Sequence, residues 1–362
     1  MTDMKYIDTV ELIRSLSLEF GPSGNEDRVR DAIRARVEKY ADSMAVDRLG
    51  NLICKMRFGG GSNPTRIMIC AHMDEVGFMV DQIRSDGMLT FGCVGGISPS
   101  VLAGRKVTLC GKDGIISGLI CSKAIHHKEK EEREKALPAD KLFIDIGCVS
   151  KEEAEKRISV GDLGTFDSEF VCFGKDMKTV KCKALDDRMG CAAMIQIMDQ
   201  FKACPPCIDA EVFFCFTVRE EIGYSGAGSA AELTKPDLAI VLETTAICDL
   251  PNTDAHKRVA DVGCGGVISV ADRATIYDRE LVDYALALAK EKGIKAQIKR
   301  YVSGGNDAGK IHKRLLGIKT LAISVPTRYL HSPACVATID DFESVRNLAM
   351  AVIEDKGKVS KI

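Results

Sequence analysis

Apolar residues near the start of the chain recur at helical spacing. Leu12, Leu16, Leu18 and Phe20 are followed by the break Gly21-Pro22-Ser23-Gly24, and Asn25-Glu26 then opens a second helix carrying Val29, Ile33 and Val37. Short apolar runs over 51–56 and 66–71 read as strands, with a hairpin-like or looped connection through the Gly-rich turn at 59–64. From about 75 to 177 the texture changes. Strand-length runs at 76–80, 88–91, 106–109 and 114–117 alternate with Gly, Asp-Gly and Ser-Gly turns, and helical pattern is sparse apart from 151–157. That predicts a small β-rich unit, a barrel or a sandwich. After about 178 helix and strand alternate. Helices are predicted over 189–201, 279–292, from about 307 and over 341–355, with strands over 211–218, 238–243, 296–301 and 318–325. Such alternation predicts an α/β fold, a mixed central sheet covered by helices on both faces. Residues 1–74 plus 178–362 would form it, and 75–177 would be an inserted β-rich domain. The charge run at 128–135 reads as a solvated loop or helix face.

Composition narrows the function classes. The 362 residues are 46% hydrophobic and 28% charged, ample for a sizeable core. A net charge of −2 argues against nucleic acid or an anionic membrane as the main partner, since both require a basic surface. No apolar stretch approaches the roughly 20 residues of a membrane span. The first eight residues lack the basic-then-apolar layout of a signal peptide. The 15 cysteines are odd in number, and most lie in apolar stretches, as Cys70, Cys110, Cys172 and Cys215 do. They read as small buried hydrophobes in a reducing cytoplasm rather than a disulfide framework. Cys204-Pro-Pro-Cys207 reads as a helix-to-strand loop, because no second cysteine pair follows at zinc-ribbon distance.

The chemistry concentrates at predicted strand ends. Glu220-Glu221 closes the apolar run 212–218, just before Gly223-Tyr224-Ser225-Gly226. Two acids at the end of a buried strand are costly unless a cation compensates them. One of them can bind metal while its neighbour handles protons. His72-Met73-Asp74 follows the strand at 66–71. In extended chain, positions i and i+2 face one way, so Asp74 can hydrogen-bond the second ring nitrogen of His72. Asp186-Asp187 precedes a predicted helix, Glu243 ends the strand at 238–242, and His331 follows the strand at 318–325. Each has an ordinary reading by itself: a solvated turn, a helix N-cap, a surface acid, a loop histidine. Ligands in open α/β sheets bind outside the carboxyl ends of the strands, where most of these groups fall. Two histidines with three carboxylates suit two divalent ions, one carboxylate bridging them.

His72-x-Asp74, Leu185-Asp186-Asp187-Arg188, Glu220-Glu221-x-Gly223 and Arg328-Tyr329-Leu330-His331-Ser332 occur in that order. In this the chain resembles the glutamyl aminopeptidase and tetrahedral (TET) aminopeptidase family of cocatalytic metallopeptidases, whose members have often carried the name endoglucanase. The resemblance covers nearly the whole chain. It implies a zinc-peptidase-like fold and an aminopeptidase that removes the first residue of peptides with a free N-terminus, through a metal-bridging water and a glutamate base. It implies two divalent ions per subunit, zinc or cobalt first and manganese also acceptable. Asp186 would bridge them, His72 and Glu243 would complete one site, and Glu221 and His331 the other. Glu220 would be the general base and acid, Asp74 would orient His72, and the Asp186-Asp187 peptide would be cis. Many relatives place Asp where this chain has Glu243, which bears on metal preference. The resemblance also implies homo-oligomers assembled through the inserted domain, commonly a dodecamer built from dimers. Gly304-Gly305-Asn306-Asp307 resembles a further family loop without an assigned role.

Three other readings compete. A glycoside hydrolase also uses paired carboxylates, but it would need aromatic platforms, and this chain has no Trp and 6% aromatic residues. A cocatalytic deacylase or dipeptidase on small amides would share the metal site. A non-catalytic shell would keep the fold and lose turnover.

Overall fold

The computed structural model describes residues 8–127, 129 and 135–356. Most of the charge run at 128–135, and all but the last of the eight opening residues, lie outside that range. The central sheet runs in the order Ser43–Val46, Leu52–Phe58, Ala210–Thr217, Thr65–His72, Leu238–Ala246, Lys319–Thr327, Gly266–Ile268, Ala296–Ile298. Its four middle strands are mutually parallel. Antiparallel pairs flank them, Leu52–Phe58 on one side and Gly266–Ile268 on the other. Seven of the eight residues of Thr65–His72 are buried on both side-chain faces, the pattern of a strand covered on both sides. Helices supply the cover. Leu185–Ala203 packs on the middle strands beside Thr9–Leu18 and Ile339–Lys356, and Ser225–Thr234 packs against Ala210–Thr217 and Thr65–His72.

The strands at 52–58 and 65–72 do not form a hairpin. Ala210–Thr217 lies between them, antiparallel to the first and parallel to the second. Its Val212, Phe214 and Phe216 are wholly buried, and burying that apolar segment in the centre of the sheet outweighs a local pairing. Glu243 does not end its strand, which runs on to Ala246 and pairs Glu243 with Ser324. The helix expected from about 307 is a single turn, Ala308–Ile311.

Between the strands at 65–72 and 210–217, a closed barrel forms in the order Gly77–Ile83, Leu89–Val94, Ile144–Asp145, Gly114–Ile120, Lys106–Gly111, Leu163–Phe166. Its separate core holds Phe78, Phe91 and Phe166, with the Phe78 ring edge-on to both others. Val171–Phe173 belongs instead to a three-stranded sheet with Thr179–Cys182 and Cys335–Thr338. All the cysteines are free; Cys70 and Cys215 are buried, whereas Cys110 and Cys172 are partly exposed and Cys204 and Cys207 lie on an exposed loop. Among the described residues no helix is long and apolar enough to cross a membrane.

A buried charge ties the barrel to the α/β body. Arg188 has no exposed surface and donates to the carbonyls of Leu16, Glu19, Gly21 and Met73. It also meets Oε1 of Glu75, which Lys183 Nζ approaches at 2.7 Å, while Glu75 Oε2 accepts from the barrel residue Thr165 at 2.6 Å. Replacing Arg188 by Ala takes the donor from the Met73 carbonyl, removes one of the donors to those of Leu16, Glu19 and Gly21, and leaves Lys183 to neutralise Glu75 alone. The expected loss is about 3–5 kcal/mol, read from urea unfolding of parent and variant.

Candidate active site

The parallel strands deliver their carboxyl ends to one edge, and there the predicted groups meet. His72 is the last residue of its strand, and Glu220-Glu221 follow Ala210–Thr217 by three residues. Glu243 projects from within Leu238–Ala246, and His331 comes from the loop after Lys319–Thr327. Asp186 enters from the start of Leu185–Ala203, where Asp186 and Asp187 are non-helical and joined by a cis peptide.

Asp186 lies between the two imidazoles. Its Oδ1 is 3.2 Å from His72 Nε2, and its Oδ2 is 3.4 Å from His331 Nε2. Glu243 Oε1 stands 3.5 Å from His72 Nε2, and Glu221 Oε1 stands 3.3 Å from His331 Nε2. Glu220 comes into the same cluster. Donor atoms of His72, Glu220 and Glu243 lie within 4.8 Å of one another, as do those of His72, Asp186 and Glu221. Both sets could hold an ion by geometry, so the division of labour between Glu220 and Glu221 rests on chemistry.

The two neighbouring aspartates have different tasks. Asp187 is fully buried and points away, accepting from the main-chain N–H groups of Gly190 and His72 at 3.0 and 3.3 Å. It is the helix cap, and Gly190 is needed there because an added Cβ would lie 2.4 Å from the Asp187 carboxylate. Asp74 departs from its expected contact. His72 Nδ1 pairs at 3.0 Å with the main-chain carbonyl of Asp74, and the nearer carboxylate oxygen is 3.5 Å away. That carboxylate instead accepts from the N–H groups of Glu220 and Glu221 and from Ser23 Oγ. Main-chain donors on neighbouring residues match its two oxygens better than one ring N–H does. Sequence reasoning did not reach Gly96. This barrel-side residue accepts from His331 Nδ1 at 2.6 Å, and its one signal is the glycine pair Gly95-Gly96.

Electrostatics mark the cluster as short of positive charge. Burial pushes Glu220 well above the usual carboxylate range, and Glu243, Glu221 and Asp307 push the same way. Burial and then Asp186 raise Glu243 to about 8. Against burial, hydrogen bonds with Asp186 and Glu221 raise His331 to about 11. Asp186 moves the other way: burial pushes it up, but the two histidines hold it below its ordinary value. Four carboxylates against two imidazoles leave excess negative charge in a buried site, a donor set that fits divalent cations. The cluster opens into a cleft of about 360 Å³. Tyr224, Thr244, Thr245, Lys299 and the loop Ser303–Asn306 also line it.

Comparison with known proteins follows the same lines. Residues 50–348 match the family model described as M42 glutamyl aminopeptidase. The chain is 30% identical to the lysyl aminopeptidase of Pyrococcus furiosus, covering 95% of this chain and 96% of that one. It is similar to the crystal structure of a TET aminopeptidase from the marine sediment archaeon Thaumarchaeota archaeon SCGC AB-539-E09, with TM-score 0.91, 34% identity and 96% of each chain covered. It is also similar to the Pyrococcus horikoshii TET1 peptidase, which can assemble into a tetrahedron or a large octahedral shell. There the TM-score is 0.85 and identity 34%, over 95% of this chain and 99% of that one.

Asp307 stands behind the cluster as a buried carboxyl raised above its ordinary range. Thr217 Oγ1 lies 2.6 Å from Asp307 Oδ2 and 3.2 Å from the carbonyl of Ala71. A threonine hydroxyl has one hydrogen, so Thr217 donates to an ionised Asp307, and turns to Ala71 when Asp307 is protonated and donates to it. Asp307 Oδ1 is buried without a partner, and burial raises the group to about 6. A carboxyl raised on folding binds its proton more tightly in the native state, so its contribution is full below 3.8 and lost as pH rises through about 6. Asp307→Asn keeps a donor toward Thr217 and removes the titration. Urea unfolding across that range should show the parent losing stability relative to the variant as pH rises; parallel curves would refute the protonated state.

Proposed function

The chain belongs to the M42 glutamyl aminopeptidase family, and on that premise we infer a dinuclear, metal-dependent aminopeptidase that removes the first residue of peptides with a free N-terminus. The observation that carries the reading is the position of Asp186, one oxygen toward each of two histidine–carboxylate pairs. In this reading His72, Asp186 and Glu243 would hold one ion, and His331, Asp186 and Glu221 the other. Histidine with carboxylate suits zinc, cobalt or manganese. When bound, the ions would lower the pKa of a water between them toward neutrality and polarise the scissile carbonyl.

The protein's own groups do the rest. Glu220 takes the proton of the attacking water and delivers it to the leaving amine, a task suited to an acid pushed up by its surroundings. Asp74 fixes where Glu220 and Glu221 sit, through their N–H groups. Gly96 fixes the ring of His331. The positive N-terminal amine of a peptide is drawn to the same acidic cluster, which confines cleavage to the first residue. The family resemblance to assembling TET peptidases supports a homo-oligomer built through the 75–177 insertion, where Ile115, Leu119, Val149 and Val160 are exposed. The unpaired cysteines suit a reducing, cytoplasmic setting.

Chelation should abolish release from free-amine aminoacyl-p-nitroanilides, and Zn²⁺, Co²⁺ or Mn²⁺ should restore it, with N-acetylated substrates inert throughout. No release with any metal would sink the reading. Glu220→Gln should keep its metal and lose about 10²–10⁴-fold in kcat. Asp186→Ala should lose metal and activity together, measured by elemental analysis beside the same assay.

A further inference from the structure

We propose that Glu26 is a positioning residue for Glu220, acting through the main-chain N–H of Arg219. The proposal rests on the reading of Glu220 as the general base. The chain leaves Ala210–Thr217 with its next N–H groups unpaired by any strand, and side chains from distant segments accept them one after another. Val218 N–H donates to Asn51 Oδ1 at 3.0 Å, Arg219 N–H to Glu26 Oε1 at 3.2 Å, Glu220 N–H to Asp74 Oδ1 at 3.0 Å and Glu221 N–H to Asp74 Oδ2 at 3.1 Å. All three acceptor residues are buried. Arg219 has φ of +58°, a left-handed conformation that a residue with a Cβ adopts only when its surroundings impose it. The hydrogen bond from its own N–H to Glu26 holds this strained residue between the contacts that Asn51 and Asp74 make on either side.

Glu26 stands just before the helix Asp27–Val37, so this contact is anchored to a packed element. The loop that precedes it braces the second carboxylate as well. Ser23 Oγ donates to Asp74 Oδ2 at 2.6 Å, Ser23 N–H donates to the carbonyl of Glu75, and Glu75 N–H donates to the carbonyl of Gly21. The break Gly21-Pro22-Ser23-Gly24, which from sequence only separates two helices, therefore holds the segment that carries Glu220. Burying a charge is costly, and a hydrogen bond to a carboxylate is roughly twice as strong as one to a neutral acceptor. A misplacement of about 1 Å at a reacting group can cost about 10²-fold in rate. Glu26 also accepts from Gly24 N–H at 2.8 Å, so a purely local role is the competing account.

Glu26→Ala, Glu26→Gln and Glu220→Gln, singly and with Glu26→Ala combined with Glu220→Gln, separate the two. The readouts are kcat and KM on an aminoacyl-p-nitroanilide, bound metal and Tm. Glu26→Ala should lower kcat about 10–100-fold with KM and bound metal unchanged, and Glu26→Gln, which keeps an acceptor oxygen, should recover most of the loss. In the Glu220→Gln background the same Ala substitution should cost less than about threefold, because the group it positions is already gone. Parent kcat in Glu26→Ala, no rescue by Gln, or an equal loss in both backgrounds would each overturn the proposal. Should Glu26→Ala not fold, Glu26→Asp, one methylene short of Arg219, is expected to show the same kcat loss, and parent kcat there overturns it. If Glu220→Gln itself turns over at the parent rate, the general-base reading fails first; if it is slow while Glu26→Ala is not, only the positioning role fails.

Discussion

Four carboxylates packed at the edge of a buried sheet set the problem that the rest of the molecule solves. Mutual repulsion and desolvation both oppose the arrangement, and the two imidazoles only partly offset them. The surrounding architecture therefore has to hold each acid in place against forces that would spread them. The side chains themselves do little of this. The holding is done through main-chain groups: the N–H of Glu220 and Glu221 on Asp74, the N–H of His72 on Asp187, and the carbonyl of Gly96 on His331. Apart from the Thr244 N–H on Glu243 Oε1, these contacts fall on the main chain of the cluster residues rather than on their carboxylate oxygens.

The same constraint explains why the barrel and the α/β body are joined where they are. Glu75 lies one residue beyond Asp74 and is the place where charge from one part meets a hydroxyl from the other. Its carboxylate takes Lys183 and Arg188 on one oxygen and Thr165 on the other. Arg188 and Lys183 also flank Asp186 in sequence. One buried ion network thus ties the segment after the strand carrying His72 to the helix start carrying Asp186 and to the barrel strand Leu163–Phe166. Its net worth in stability is small, as for most buried ion pairs, and its value lies in specifying one arrangement.

The long apolar strands and amphipathic helices were legible in the sequence because burial leaves a period. The pairing of Ala210–Thr217 between two strands that lie close in sequence was not, since a segment some 150 residues away leaves no local mark. Short strands such as Ser43–Val46 and Gly266–Ile268 carry too few residues for a pattern, and the small residues of Ser225–Thr234 disguise a helix as a turn. Chemistry-bearing residue types at strand ends were readable. What each touches was less so: Asp74 turned from the ring of His72 to the amides of Glu220 and Glu221, because register between separate elements decides that choice.

Glu243 shows how the backbone on either side of a buried acid sets its carboxylate. It sits inside a strand, hydrogen-bonded into the sheet opposite Ser324, so its backbone cannot retreat to make room for an extra methylene. The side chain folds back instead, and its Oε1 accepts from the N–H of the next residue, Thr244, at 2.9 Å while staying 3.5 Å from His72 Nε2. The backbone thereby orients one oxygen of the carboxylate. The sheet fixes where the carboxylate stands, and the next amide fixes how one of its oxygens is turned.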